Sequence, residues 1–329
     1  MSRPRTNRVV TLARHEYRAA VRSRVFVALL AVLAVATAAS VYVGAVDYRS
    51  QLADYTAYAA AAHASGITQL APSPLALLSL LRGAFEYLEI IGAVIAITLG
   101  YLSVSRERLN RTLPLIRSRP VTAGELAAGN LLGAVGLLGT LVAATAAIGI
   151  LCLGIVGHDW VSGQQVVKLA LAYGASVLYL VVFYCLGAIA TAKAKVPATG
   201  LMVALGIWLV VVLILPQIGD TLDADNQVPG GLFASLGLGH SGEVTILTHF
   251  TTYEKVRTAI EAASFLKHFE RFAFAMTDVK PRYRDLSLGQ LLDIKRIEMI
   301  WMAVYTLGMG GLLRRVFNRQ PAVPQGEQP

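Results

Sequence analysis

The sequence is poor in charge and in cysteine. Only 15% of its 329 residues are Asp, Glu, Lys or Arg, and its two cysteines, Cys152 and Cys185, both lie inside apolar runs. Neither a disulfide framework nor a paired-cysteine metal site is therefore available, and both cysteines are interpreted as packing residues. The chain also lacks the G-x-x-x-x-G-K-[ST] pattern of a phosphate-binding loop, so we expect no nucleotide site of its own.

The sequence is rich in apolar residues. They make up 55% of the chain, and the mean hydropathy is +0.58. Several apolar runs approach the ~20 residues that a helix needs to cross a bilayer, so we predict an all-α polytopic membrane protein. The net charge of +9 does not indicate a nucleic-acid partner, because the basic residues flank the apolar runs instead of sharing one surface. Six transmembrane helices are predicted near Val25–Val46, Phe85–Val104, Leu131–Val156, Val166–Ala190, Pro197–Ile218 and Ile297–Leu313.

Lysine and arginine concentrate at the N-terminus, after the second and fourth predicted spans, and in the tail. Basic residues in short loops resist translocation, so both termini are predicted to be cytoplasmic in the plasma (cell inner) membrane. The connections around 47–84 and 157–165 then lie outside. Residues 25–218 hold the first five spans, 219–292 form an extracytoplasmic helical subdomain, and 293–329 hold the sixth span and tail. Cleavage of the first span as a signal peptide after Ala38 stays an alternative.

Residues 1–24 are predicted to form an amphipathic helix that lies in the headgroup layer before the first span. Arginines recur every four residues on one of its faces, and a solvated basic arm is the alternative. The basic face carries Arg14, Arg18 and Arg22, and the apolar face carries Val9, Val10, Ala13, Tyr17, Ala20 and Val21.

The connection after the second span, residues 105–130, is longer than topology requires. Pro114 and Pro120 each interrupt a regular helix. Thr122 and Glu125 have the spacing of a capping box, which predicts that a new helix starts there and runs into the third span. We therefore predict a loop of defined shape. The alternative is that its arginines only enforce topology.

Two stretches of the sequence resemble a known family. "SRERLNRTLPLIRSRPVTAGELAAGNLLG" resembles the loop after the second span of ABC-2 type transporter permeases, and "LARHEYRAAVRSRVF" is similar to their membrane-surface helix. Arg111 and Asn130 depart from the glycine and lysine that are usual in that loop. Within the family, the chain resembles the branch that contains the permeases for nitrous-oxide reductase maturation and gliding motility. The matching positions are Glu16, Arg22, Arg24, Glu107, Thr112, Leu113, Ser118, Pro120, Val121, Glu125 and Gly129.

The resemblance implies the permease subunit of an ATP-binding-cassette transporter. A separate cytoplasmic ATPase subunit would bind ATP and Mg²⁺, and this chain would bind no cofactor and no metal while coupling hydrolysis to substrate export. A second copy in a homodimer, or a sister permease, would complete the pathway. The alternative is a non-transporting scaffold or assembly protein that recruits an extracytoplasmic partner. The coupling residues so implied are Glu107, Thr112, Arg117, Arg119, Pro120 and Glu125.

The external segment contains the pattern "YEKVRTAIEAASFLKHFERFAFAM", which predicts an amphipathic helix. This helix would cap the outer mouth, lie on the outer leaflet, dock a partner, or belong to a packed subdomain without a ligand. "GLGHSG" at 237–242 fits a dinucleotide-binding pattern, but it lies in an external loop and not in a βαβ unit, so we interpret it as a turn. The spacings of His240, His249 and His268 match no metal signature.

Three carboxylates at the outer ends of predicted spans are candidate pathway residues. Glu86 and Glu89 are three residues apart and are expected to share a helix face, and Glu298 is placed similarly in the last span. Carboxylates at membrane depth face a cavity or a partner because their exposure to lipid is costly. A position at headgroup level, where water reaches them, is the alternative. Pro197, Gly206 and Pro216 permit bending of the fifth span.

Overall fold

The computed structural model describes residues 5–66, 76–109, 122–157, 161–221, 255–256, 259, 264–279, 283–284 and 286–319. Within these ranges every regular element is helical, as predicted. A 3₁₀ turn at Leu77–Leu81 leads into α3, and two π-helical segments, Leu88–Gly92 and Leu209–Ile214, join α3 to α4 and α7 to α8. The helices are α1 (Arg5–Val21), α2 (Arg24–Ala64), α3 (Arg82–Tyr87), α4 (Ala93–Leu109), α5 (Ala123–Gly157), α6 (Gly163–Lys193), α7 (Pro197–Trp208), α8 (Leu215–Thr221), α9 (Phe265–Met276), α10 (Leu288–Ile294) and α11 (Arg296–Arg319).

Five helical stretches in the described ranges are long and apolar enough to cross a membrane. α11 is not among them, because its apolar run is short, contains Glu298 and ends in arginines. The sixth span therefore stays a prediction. The five stretches are Arg24–Ala64, Leu77–Arg106, Gly124–Ile155, Gly163–Lys193 and Pro197–Ile218.

α2 is much longer than the predicted first span. Its 41 residues extend about 62 Å at 1.5 Å per residue, twice the ~30 Å of a hydrocarbon core, so part of it projects beyond a bilayer. The sequence after Val46 is rich in alanine and contains no glycine or proline before Gly66, so nothing in it breaks the helix. Gly66 ends it with φ +77° and donates its N–H to the His63 carbonyl. The predicted connection from residue 47 is thus helical as far as Ala64.

α4 and α6 cross closely in the core of the bundle. A Cβ atom at Gly100 would collide with the α6 backbone at Tyr184, and a Cβ atom at Gly187 would collide with the α4 backbone at Ile97. Small residues let membrane helices approach to backbone contact. Both cysteines are unpaired, and Cys185 is fully buried in this core, in agreement with a packing role.

The π-helical segments lie where two spans depart from regular helix. Leu209–Ile214 ends just before Pro216, whose nitrogen has no hydrogen to donate to the preceding turn. This is the part of the fifth span in which the sequence permits bending. In Leu88–Gly92, the Glu89 carbonyl accepts a hydrogen bond of 2.9 Å from the Tyr179 hydroxyl, which joins this segment to α6.

α9 is packed into the bundle. Nine of its 12 residues are buried, and it contacts α6, α11, α3 and the second π-helical segment. The Tyr179 ring stacks on Phe265 and Phe269 with centroid distances of 5.4 and 4.6 Å. Ser264 lies outside the helix and caps it, so the predicted helical pattern is interrupted there. Because protein covers its apolar residues, α9 does not lie on the outer leaflet.

A buried ion pair fixes the end of α9 to α6. Lys168 Nζ lies 2.9 Å from Asp278 Oδ1, and the two residues are 4% and 6% exposed. Asp278 has φ 53°, a left-handed conformation that Asp and Asn tolerate better than most residues. The chain thus turns sharply after α9 at the residue that pairs with α6.

Candidate functional site: the loop junction

α1 packs lengthwise against the first half of α5, and two glycines allow the close approach. A Cβ atom at Gly129 would lie 2.5 Å from Leu12 Cβ, and a Cβ atom at Gly133 would lie 2.9 Å from Glu16 Cβ. The contacts advance in the same direction along both helices. A side chain at either glycine would therefore displace α1 from α5.

The amphipathic pattern of α1 is explained by this packing. The helix itself is confirmed, but it runs beside α5 as far as the Tyr17 and Thr140 hydroxyls, which are 3.1 Å apart. Of the predicted apolar face, Ala20 is buried and Val9, Ala13, Tyr17 and Val21 are half-buried, so protein covers this face in part. The position of the helix in the headgroup layer stays a prediction. Val10, assigned to the apolar face, is 56% exposed. The predicted basic positions are exposed, and these are Arg14, Arg18, Arg22 and Arg24.

α1 is also fixed to the end of α4, where the chain enters the loop. Glu16 Oε1 lies 3.1 Å from Arg106 Nη2, and the exposed fractions of the two side chains are 16% and 33%. Arg106 Nε donates a hydrogen bond of 3.0 Å to the Leu102 carbonyl, which orients the guanidinium. The same glutamate packs on Gly133, so one side chain of α1 touches the helices on both sides of the loop.

The predicted capping box at the start of α5 is confirmed. The Thr122 N–H donates to Glu125 Oε2 at 2.8 Å, and the Glu125 N–H donates to Thr122 Oγ1 at 3.2 Å. These bonds satisfy donors that a helix N-terminus otherwise leaves open. Glu125 is only 8% exposed. The first turn of α5 is thus fixed directly where the loop ends.

A buried polar network extends the junction into the bundle. Asn130 Nδ2 donates to Ser103 Oγ at 2.6 Å, and the Tyr184 hydroxyl donates to Asn130 Oδ1 at 2.9 Å. The three residues belong to α5, α4 and α6, and none is more than 5% exposed. Hydrogen bonds of this kind fix membrane helices to one another. Sequence reasoning noted Asn130 only as a departure from the family pattern.

We call these contacts the loop junction, defined as Glu16, Ser103, Arg106, Thr122, Glu125 and Asn130. The junction fixes α1, α4 and α5 together at both ends of the segment 110–121. Of the predicted coupling residues, Glu125 lies in the junction. Thr112, Arg117, Arg119, Pro120 and the side chain of Glu107 lie outside the described residues.

The substitution Tyr184→Phe tests the buried network. It removes the hydroxyl that donates to Asn130, and a buried acceptor left without its donor costs about 1–3 kcal/mol. We expect a clear decrease of the apparent melting temperature in detergent. Tyr42→Phe is the control, because Tyr42 is 71% exposed. Equal melting temperatures for the two variants would contradict a stabilising role for the network.

The outer carboxylates Glu86 and Glu89 occupy different environments. Glu86 is paired with Arg82 at 2.8 Å, and its side chain is 44% exposed, whereas Glu89 is 6% exposed. A π-helical segment begins between them at Leu88. The two carboxylates thus differ in burial, and the shared helix face stays a prediction.

Glu298 lies in a third environment, at the start of α11. It is 6% exposed, and its Oε1 atom lies 3.4 Å from Lys295 Nζ, which in turn lies 5.1 Å from the centroid of the Tyr283 ring. Within the described part of the chain, Glu298 Oε2 has no hydrogen-bond partner. The headgroup-level alternative fits Glu86, while Glu89 and Glu298 are buried in protein.

Of the three histidines that were weighed as metal ligands, the structure describes His268. His268 is buried in α9 and stacks on Trp301 with a centroid distance of 5.8 Å. His240, His249 and the "GLGHSG" stretch at 237–242 lie outside the described residues.

The bundle of apolar helices defines an integral membrane protein. Comparison with protein families then identifies it further, because the model described as "ABC-2 family transporter protein" matches residues 10–319. The chain belongs to this family and is a permease component of an ABC transporter. Permeases of this family are transmembrane components without an ATPase site of their own. Permeases of this family generally work with a cytoplasmic ATPase subunit. No curated protein matches the chain.

Proposed function

We propose that this chain couples ATP hydrolysis in a separate ATPase subunit to substrate export across the plasma membrane, with both termini cytoplasmic. The observation that carries the proposal is the loop junction, in which α1 fixes both helices that flank the segment 110–121. ATP and Mg²⁺ bind the partner subunit, and this chain holds no cofactor.

The junction provides a physical route for the coupling. A displacement of the segment 110–121 moves α4 and α5 together, because Glu16 contacts Arg106 of α4 and Gly133 of α5. The Asn130 network passes the displacement to α6. Coupling between distant sites needs such a chain of packed and hydrogen-bonded contacts. The residues proposed to contact the ATPase or shape the loop are Glu107, Thr112, Arg117, Arg119 and Pro120.

The outer half of the pathway is proposed to include Glu89 and Glu298. Both carboxylates are buried, Glu89 in a segment joined to α6 by the Tyr179 hydroxyl and Glu298 in the first turn of α11. Carboxylates at membrane depth serve polar or cationic ligands. Glu86 stays outside this set, because its pairing with Arg82 and its exposure give it a surface role. A second copy of the chain is proposed to complete the pathway, as a homodimer.

A charge exchange tests the contact between α1 and α4. Glu16→Arg and Arg106→Glu each bring like charges together, and we expect each to lower the ATPase activity of the complex at least about fivefold, the effect of ~1 kcal/mol. The double variant restores the attraction and should return most of the activity. Arg82→Glu, which creates like charges in an exposed pair far from the loop in sequence, is the control and should have no effect. A double variant no more active than the singles would contradict the proposed contact.

The proposal as a whole is tested by affinity co-purification of the detergent-solubilised chain with the products of its neighbouring genes. We expect a P-loop ATPase to co-purify, and its activity or binding to decrease in Glu107→Ala and Pro120→Ala. If no ATPase binds, or if both variants behave like the wild type, the coupling function fails. The scaffold with an extracytoplasmic partner then becomes the better account.

A further inference from the structure

A cleft of about 560 Å³ lies beside the loop junction, between α1, α5 and α11. Its volume is within the range of sites that bind small molecules, about 300–1,000 Å³. None of the contacts described for the junction fills it. The residues that line it are Val9, Thr122, Gly124, Glu125, Ala127, Ala128, Leu131, Gly310 and Arg314.

The lining is polar at one end and apolar at the other. Thr122, Glu125 and Arg314 lie at the end nearest the loop, while Leu131 and Gly310 lie deeper, where a Cβ atom at Gly310 would be 3.4 Å from the Leu131 side chain. From Thr122 to Leu131 the helix rises about 13 Å. A lining of this kind matches an amphiphile with a polar head and an apolar chain, whereas a small soluble anion would leave the deeper part empty.

The charge at the polar end favours an anionic head. Arg314 is exposed and, within the described residues, forms no ion pair. Its guanidinium reaches over Gly124, 3.6 Å from the position of a Cβ atom there. Glu125 also lines the cleft, with a carboxylate of opposite sign that accepts hydrogen bonds from the Thr122 N–H and hydroxyl at 2.8 and 3.1 Å. Of these two charged lining residues, Arg314 is therefore the one that can donate to an anionic head.

The walls of the cleft border exposed apolar surface that lipid can cover in a membrane. Leu132, next to Leu131 on α5, is 52% exposed, and Leu312, between Gly310 and Arg314 on α11, is 47% exposed. An occupant that comes from the bilayer therefore reaches the cleft without crossing water. Basic pockets between transmembrane helices on the cytoplasmic side are known to bind anionic lipid headgroups.

From these observations we infer that the cleft is a binding site for an anionic phospholipid. The phosphate pairs with Arg314, and an acyl chain lies along Ala128, Leu131 and Gly310. A lipid seated here bridges α1, α5 and α11 and stabilises the loop junction. The inference rests on the proposed function only in placing this end of the bundle at the cytoplasmic leaflet.

Lipid retention by the purified full-length chain tests the inference. The chain is incubated in detergent with phosphatidylglycerol or phosphatidylcholine, and the bound lipid is counted by native mass spectrometry without any ATPase subunit. We expect phosphatidylglycerol to be retained over phosphatidylcholine, and Arg314→Gln to lower its retention at least fivefold. Ala128→Leu, which fills the apolar end, should also lower it, and the adjacent Arg315→Gln is the control that should not. An excess of inorganic phosphate should not displace the lipid.

Three results would overturn the inference. One is equal retention of the two lipids, and another is an equal loss in Arg314→Gln and Arg315→Gln, which would indicate unspecific attraction. The third is unchanged phosphatidylglycerol retention in Arg314→Gln, and a loss of ATPase binding by the same variant in the separate co-purification would then assign the cleft to the partner subunit. Because retention is measured without the ATPase, its failure is distinguishable from failure of the proposed coupling.

Discussion

Gly133→Leu is expected to lower the ATPase activity of the assembled transporter at least about tenfold, because it separates α1 from α5. The new side chain would occupy the position of Glu16 Cβ and the Ala13 carbonyl, which lie 2.9 and 3.0 Å from a Cβ atom there. Overpacking of this kind costs about 1–3 kcal/mol, and ~1.4 kcal/mol already corresponds to a tenfold change in rate. The Glu16 contact with Arg106 would be lost at the same time.

Gly139→Leu is the matched control on the same helix, because nothing lies within 4 Å of a Cβ atom at Gly139. Treatment of the Tyr17→Cys, Thr140→Cys variant with a short bifunctional thiol reagent reports directly on whether α1 is attached, since the native side chains of these residues are in contact through hydroxyls 3.1 Å apart. Cross-linking should fail with Gly133→Leu and persist with Gly139→Leu. Full activity with α1 detached would remove α1 from the coupling route.

Lys168→Met is expected to produce the largest loss of stability, because it leaves the Asp278 carboxylate buried without its partner. Removing one member of a buried ion pair costs about 3–5 kcal/mol. The combination of Lys168→Met with Asp278→Asn removes both charges and should recover most of that loss. Asparagine is chosen because it tolerates the φ of 53° at this position. Chemical unfolding in detergent measures the free energies.

Arg296→Gln is the control for this second prediction. It removes one member of an ion pair with Asp293 in which both side chains are 76% exposed, and the contribution of such a pair is about 0–1 kcal/mol. A loss in Lys168→Met no greater than that in Arg296→Gln would contradict the role of the buried pair in fixing α9. The same would follow if the double variant were less stable than Lys168→Met alone.

Local sequence signals predicted the parts of the fold that depend on neighbouring residues. The apolar runs predicted helices, and the spacing of Thr122 and Glu125 predicted the cap of α5. The second half of α2 was missed, because its helix rests on alanine-rich sequence and not on an apolar run. The π-helical segment at Leu88–Gly92 was also missed, and so was the difference in burial between Glu86 and Glu89.

The loop junction depends on contacts between distant residues, which no spacing rule contains. Glu16 and Arg106 are 90 positions apart, and their pairing follows only from the packing of α1 on α5. One usable signal was present, since Gly129 and Gly133 have the small-x-x-x-small spacing that marks close helix contacts. That signal marks the surface on α5, but it does not say which helix packs there.

Cross-linking of the loop to the ATPase subunit tests the central claim most directly. A cysteine at Arg117, introduced with Cys152→Ala, is treated with a short bifunctional reagent in membranes that contain both subunits. Lys195→Cys, in the exposed connection between α6 and α7, is the control. The account predicts that the cysteine at 117 cross-links to the ATPase in a nucleotide-dependent manner and that the cysteine at 195 does so weakly or not at all. Cross-linking at 195 alone, or at neither position while the subunits remain bound, would contradict coupling through this loop.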